Sequence, residues 1–129
     1  MRAPAVFCAL VTGLLLVGAY DRFAPPGLDQ ALATLRDGVP DRAERLRCLR
    51  VVLARSQDKL LRASCALQLE DREAYARCLP LDLERSDPAV IQAASFEEPA
   101  VAWLLLGDKP RAARAARLSG LTLVAELAR

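Results

Sequence analysis

Cys48, Cys65 and Cys78 are the most chemically capable side chains in the body of this 129-residue chain. Cys48 and Cys65 lie equally far from the break at Ser56-Gln57, and Cys65 and Cys78 equally far from Asp71. In an antiparallel helix hairpin, equal distance from the turn sets two residues level along the helix axes. Cys65 can therefore pair with either neighbour but not with both. A structural disulfide of that kind stabilises by ~3 kcal/mol. The other reading is three small buried hydrophobes, since free cysteine is among the most buried residue types. No CxxC occurs, so thioredoxin-like redox chemistry, zinc ribbons and haem attachment have no support.

Arg111, Arg114 and Arg117 recur at every third position of an Ala-rich stretch and are read as pointing the same way. They are candidates for contact with anionic lipid headgroups or an acidic partner; the plainer reading is a solvated helix face. Asp82 with Glu84, and Glu97 with Glu98, come nearest to paired carboxylates, but they read as turn and cap residues. Trp103 reads as core. Histidine is absent, which removes His-based triads, general bases and metal ligands together. Phosphate loops, Gly-rich fingerprints and nucleophile elbows are missing too. The expectation is no catalysis, no cofactor and no metal. A formal net charge of +2 argues against a dedicated nucleic-acid binder.

The elements that position these residues begin after an apolar N-terminal segment. Arg2 and the amino terminus are positive, and Ala5 to Tyr20 then runs without a charge. Sixteen helical residues span ~24 Å at ~1.5 Å each, short of the ~30 Å hydrocarbon core unless flanking residues extend them. One reading is an uncleaved single-pass anchor contacting lipid through residues 5–20, with Tyr20 and Phe23 at the interface. The other is a signal peptide cleaved after Val17-Gly18-Ala19. Both keep the N-terminus cytoplasmic and export the body, in a bacterium across the inner membrane into the periplasm. The division expected is anchor or signal 1–24, linker 25–28 around Pro25-Pro26-Gly27, and a helical domain 29–129.

Within that domain, capping signals recur at short intervals. Asp41 opens Arg42 to Arg55, and Ser56-Gln57-Asp58 breaks the chain before a helix from Lys59 to about Glu70. Asp71 caps a third helix, which Pro80 interrupts. Asp87-Pro88 is a cap with proline at the first helical position, Glu97-Glu98-Pro99 repeats the design, and Gly107-Asp108 and Ser119-Gly120 mark two further breaks. No stretch alternates apolar and polar residues long enough for a strand. The expected fold is all-α: the N-terminal transmembrane or signal helix, then a small bundle or short solenoid of antiparallel hairpins.

Leu67-Gln68-Leu69-Glu70-Asp71 to Arg77 lines up with Leu104-Leu105-Leu106-Gly107-Asp108 to Arg114, an offset of 37 that suits helix-pair repeats. Phe96, Ala100, Trp103, Gly107, Ala112 and Ala116 resemble the large and small positions of a tetratricopeptide repeat over about 25 residues, from which Pro99 and Ser119 depart. Asp87 to Ala94 looks like the second helix of a HEAT repeat. The resemblance implies a protein-contact role. The function expected is a non-catalytic accessory or scaffolding subunit in a membrane protein complex; the alternative is a secreted or periplasmic soluble binding or chaperone-like module.

Overall fold

The structure, a computed structural model, describes residues 26–38, 41–83 and 85–129. The apolar segment 5–20, with the anchor-or-signal expectation, lies outside the described residues, as does Glu84. Among the described residues no helix is long and apolar enough to cross a membrane.

The body is all-α. Its described helices are α1 (Leu28–Asp37), α2 (Arg42–Arg55), α3 (Lys59–Gln68), α4 (Arg72–Arg77), α5 (Pro88–Ala94), α6 (Pro99–Leu105), α7 (Lys109–Ser119) and α8 (Thr122–Leu127). Five of them start on an aspartate whose carboxylate accepts a first-turn N–H. Asp41 takes that of Ala43 at 3.1 Å, Asp58 that of Leu60 at 2.9 Å and Asp71 that of Ala74 at 3.0 Å. Asp87 takes Ala89 at 2.8 Å and Asp108 takes Arg111 at 3.1 Å. Each such cap stabilises its helix by about 1 kcal/mol and fixes where it begins. Helix α1 has Gly27 at its cap position and no side-chain cap, and it starts inside the stretch 25–28 read as linker.

Three helices end in one kind of turn. The N–H of Asp71 donates to the carbonyl of Ala66, Asp108 to Trp103 and Leu121 to Ala116, at 2.9, 2.9 and 3.0 Å. The residue before each donor is left-handed: Glu70 (φ 57°), Gly107 (φ 86°) and Gly120 (φ 74°). This is the Schellman arrangement, in which the chain reverses and satisfies the last carbonyls of the helix. The first two turns are 37 residues apart, and both run straight into an aspartate cap. Beyond the turn the two segments part, α4 having 6 residues where α7 has 11.

Helices pack largely on their sequence neighbours, and α3 also touches α5 and α6, while α6 touches α8. Two apolar cores result. Leu35, Cys48, Leu49, Val52, Cys65 and Phe96 fill one, built on α1 to α3. Leu67, Ile91, Val101, Leu105, Leu123 and Val124 belong to the other, built on α3 and α5 to α8. Helix α3 serves both. Phe96 comes from the α5–α6 turn, yet its ring is buried in the core of the first three helices.

A polar seam joins the halves. Arg45 Nη2 donates to Gln68 Oε1 at 2.8 Å and to the Phe96 carbonyl at 2.9 Å. Gln68 Nε2 donates to the Ser95 carbonyl at 2.9 Å and to Ser64 Oγ at 3.2 Å. Gln68, Ser64 and Ser95 are all buried, so these bonds hold polar groups that would otherwise be stripped of water.

Candidate interaction groove on helix α6

No residue from Pro99 to Gly107 carries a charge. A helix apolar all round needs cover on every side, and α6 has it on one. Ala100, Val101 and Leu105 are buried in the core. Pro99, Ala102, Trp103 and Leu106, spaced as one stripe on the other face, line an open groove of about 310 Å³ together with Gln92 and Ser95 from the end of α5. Glu97 and Glu98 complete the lining.

The turn that carries the glutamates is held in a demanding conformation. Phe96 and Glu97 both have left-handed backbones, φ 50° and 64°, which favour glycine over any residue with a Cβ. The buried Phe96 ring, the Arg45 bond to the Phe96 carbonyl and the Gln68 bond to the Ser95 carbonyl offset that strain. Glu97 stays exposed. Glu98 is the cap residue of α6 but makes no capping bond; its carboxylate instead accepts from Ser119 Oγ at 3.0 Å. Among the described residues, neither glutamate has a basic group within 4.0 Å.

The three arginines of α7 divide. Arg111 lies 4.6 Å from the centroid of the half-buried Trp103 ring and pairs with Asp108 at 3.4 Å. Arg114 and Arg117 are exposed, as is Leu118 at 91%. A spacing of three turns each successive side chain back by about 60°, so the trio fans around the helix rather than sharing one direction. Trp103, read from the sequence as core, packs on the C-terminal core and also lines the groove.

Cys48, Cys65 and Cys78 are buried free thiols in the structure. Cys48 and Cys65 pack as small hydrophobes in the N-terminal core, and Cys78 Sγ donates to the Ala74 carbonyl of its own helix at 3.3 Å. Burial pushes the Cys65 thiol up to about 12 and raises that of Cys48, which keeps both protonated and unreactive near neutral pH. Among the described residues no group of three His, Cys, Asp or Glu side chains is placed to hold a metal ion.

The groove was not visible as a site in the sequence. Its signal, an uncharged run on a helix too short to be wholly buried, was present but merged with the Ala/Leu-rich background. Comparison of the chain with protein-family models, with characterised proteins and with solved structures gives no match.

Proposed function

We propose that this chain is a non-catalytic accessory or scaffolding subunit whose helical body docks a partner protein. The observation that carries the reading is the second apolar face of α6, left half-exposed around a 310 Å³ groove while its first face is buried. Apolar grooves beside helices are a recurrent means of peptide and helix recognition. The hairpins of α3–α4 and α6–α7, which share a turn, are read as degenerate helical repeats, an architecture suited to protein contacts. Residues 5–20 serve as the membrane anchor, with the body on the far side of a bacterial inner membrane. No reading of the sequence calls for a cofactor, metal or nucleic acid.

Native co-purification from detergent-solubilised membranes tests this, with partners and peptide coverage read by mass spectrometry. A stoichiometric complex containing peptides from residues 1–19 is expected. A second reading rests on the small-residue stretch Val17-Gly18-Ala19: an exported soluble binding module. A lone chain beginning at Tyr20 in the soluble fraction would establish it and overturn the anchored subunit.

A further inference from the structure

We propose that the α6 groove takes a segment of the partner in which an arginine or lysine stands next to a leucine-sized apolar side chain. This rests on the reading of the body as a docking domain and goes further by assigning the chemistry of what docks. The apolar stripe of Pro99, Ala102, Trp103 and Leu106 offers area for an aliphatic side chain, and 310 Å³ is the low end of the ~300–1,000 Å³ typical of ligand pockets. That is room for one or two side chains rather than a helix laid along its length.

Charge decides which side chain accompanies the apolar one. Glu97 and Glu98 line the groove, and no basic group lies within 4.0 Å of either among the described residues. The nearby Arg111 has its own counter-ion in Asp108, so the groove keeps an excess of negative charge. A cation arriving there is steered in, and an acidic segment is turned away. A second hollow beside α6 is larger, about 490 Å³, but its lining from Leu83 to Gly107 holds no charged residue among those described. It has apolar area and nothing with which to select.

The groove is also pre-organised. Glu97 is aimed by a left-handed backbone that Arg45, Gln68 and the buried Phe96 ring hold from behind. A rigid acceptor loses little freedom when a partner binds. Strained, non-glycine backbone held this firmly is found disproportionately at binding sites.

The test uses the full chain in a neutral detergent and two short synthetic peptides, one alternating leucine with arginine and the other leucine with glutamate. Trp103, the single tryptophan of the chain, reports binding through its fluorescence. The expected result is a saturable change with the Leu/Arg peptide and at least about tenfold weaker binding of the Leu/Glu peptide. The Glu97→Gln/Glu98→Gln double variant should bind the Leu/Arg peptide about tenfold more weakly and lose most of its salt dependence. Ala102→Phe, which fills the groove and leaves Trp103 the single tryptophan, should abolish binding. Equal affinity for both peptides, no saturable change, or unchanged affinity in the glutamine variant would each overturn the proposal. Co-purification separates the two readings: a partner retained by the glutamine variant removes the basic-segment assignment and leaves the docking subunit standing.

Discussion

Glu70 and Thr122 are 52 residues apart in the chain, yet Glu70 Oε1 accepts from Thr122 Oγ1 at 2.8 Å and from the Leu123 N–H at 3.3 Å. Helix α8 begins on Leu121, which has no side-chain acceptor. Glu70 supplies the missing cap from the α3–α4 turn, and the Arg72–Glu126 ion pair reinforces the same junction. Position 70 is left-handed, φ 57°, where glycine would sit without strain. A residue with a Cβ is held there by what its carboxylate does at α8.

Glu70→Ala should therefore destabilise by about 1 kcal/mol, the value of a lost cap. Glu70→Gly should be milder, because relief of the left-handed backbone returns about 1 kcal/mol. The hydrogen bond from Thr122 holds the Glu70 carboxyl below its ordinary pKa, with the Leu123 N–H adding to it and burial opposing. A depressed carboxyl contributes stability that is present above its unfolded pKa and is lost as pH falls through the folded one. Thermal unfolding of wild type and Glu70→Gln should thus converge as the pH is lowered below the usual carboxylate range. Parallel curves down to pH 3 would remove Glu70 as the cap.

Arg45 and the Phe96 carbonyl, 2.9 Å apart, predict a coupled response. Arg45→Ala strips a donor from both Phe96 and the buried Gln68, and bonds of this charged kind contribute about 1.5–3 kcal/mol each. A loss of about 2–3 kcal/mol is expected in urea unfolding. Gln68→Ala should be of similar size. Their double variant should fall short of the sum by at least about 0.5 kcal/mol, because both act through one network. Strict additivity would show that the seam does not work as a unit.

Cys65 links burial to alkaline stability. Its thiol is pushed up to about 12, mainly by burial, from an ordinary value of 9.0. A raised pKa stabilises the fold fully below the unfolded pKa, and that contribution is lost as pH rises from about 9 toward 12. Tyr75 and Cys48, raised chiefly by burial, act in the same direction. Stability should decline above pH 9, and Cys65→Ala should flatten part of that decline. Iodoacetamide at pH 7.5 should label Cys48, Cys65 and Cys78 slowly in the native protein and all three promptly in guanidinium without reductant. A Cys48–Cys65 or Cys65–Cys78 cross-linked peptide would contradict the free thiols.

What the sequence revealed and what it hid follow from the range of the interactions. Asp41, Asp71, Asp87 and Asp108 could be read as helix starts because a cap acts within three residues. The break at Ser56-Gln57-Asp58 was legible for the same reason. Helix α1 was not distinguished because Gly27 offers no side-chain acceptor. The helix from Lys59 ends at Gln68 rather than near Glu70, since Leu69 and Glu70 are taken up in the reversing turn. Glu98 looked like a cap, but its carboxylate answers to Ser119, 21 residues on. The left-handed pair Phe96-Glu97 carries none of the glycine or asparagine that marks such turns. Its conformation is set by Arg45 and Gln68, which lie 51 and 27 residues from their acceptors, and no local pattern reports contacts at that distance. The groove belongs to this second category.

The α7 arginines separate packing from surface in a way that single substitutions can read. Arg111 covers the Trp103 ring and pairs with Asp108, so Arg111→Ala should destabilise by about 0.5–1 kcal/mol, the range for an exposed cation–π contact. It should also shift the Trp103 emission, because the guanidinium is removed from the indole. Arg114 and Arg117 are exposed, with no carboxylate within 4.0 Å among the described residues. Their alanine variants should unfold within about 0.5 kcal/mol of wild type. Loss of a co-purifying partner at unchanged stability would then mark Arg114 and Arg117 as a contact surface, whereas full retention would leave them as a solvated face. Arg111→Lys sharpens the comparison: lysine keeps the charge but loses the planar stack, so an emission shift matching that of alanine would tie the Trp103 signal to guanidinium packing rather than to charge.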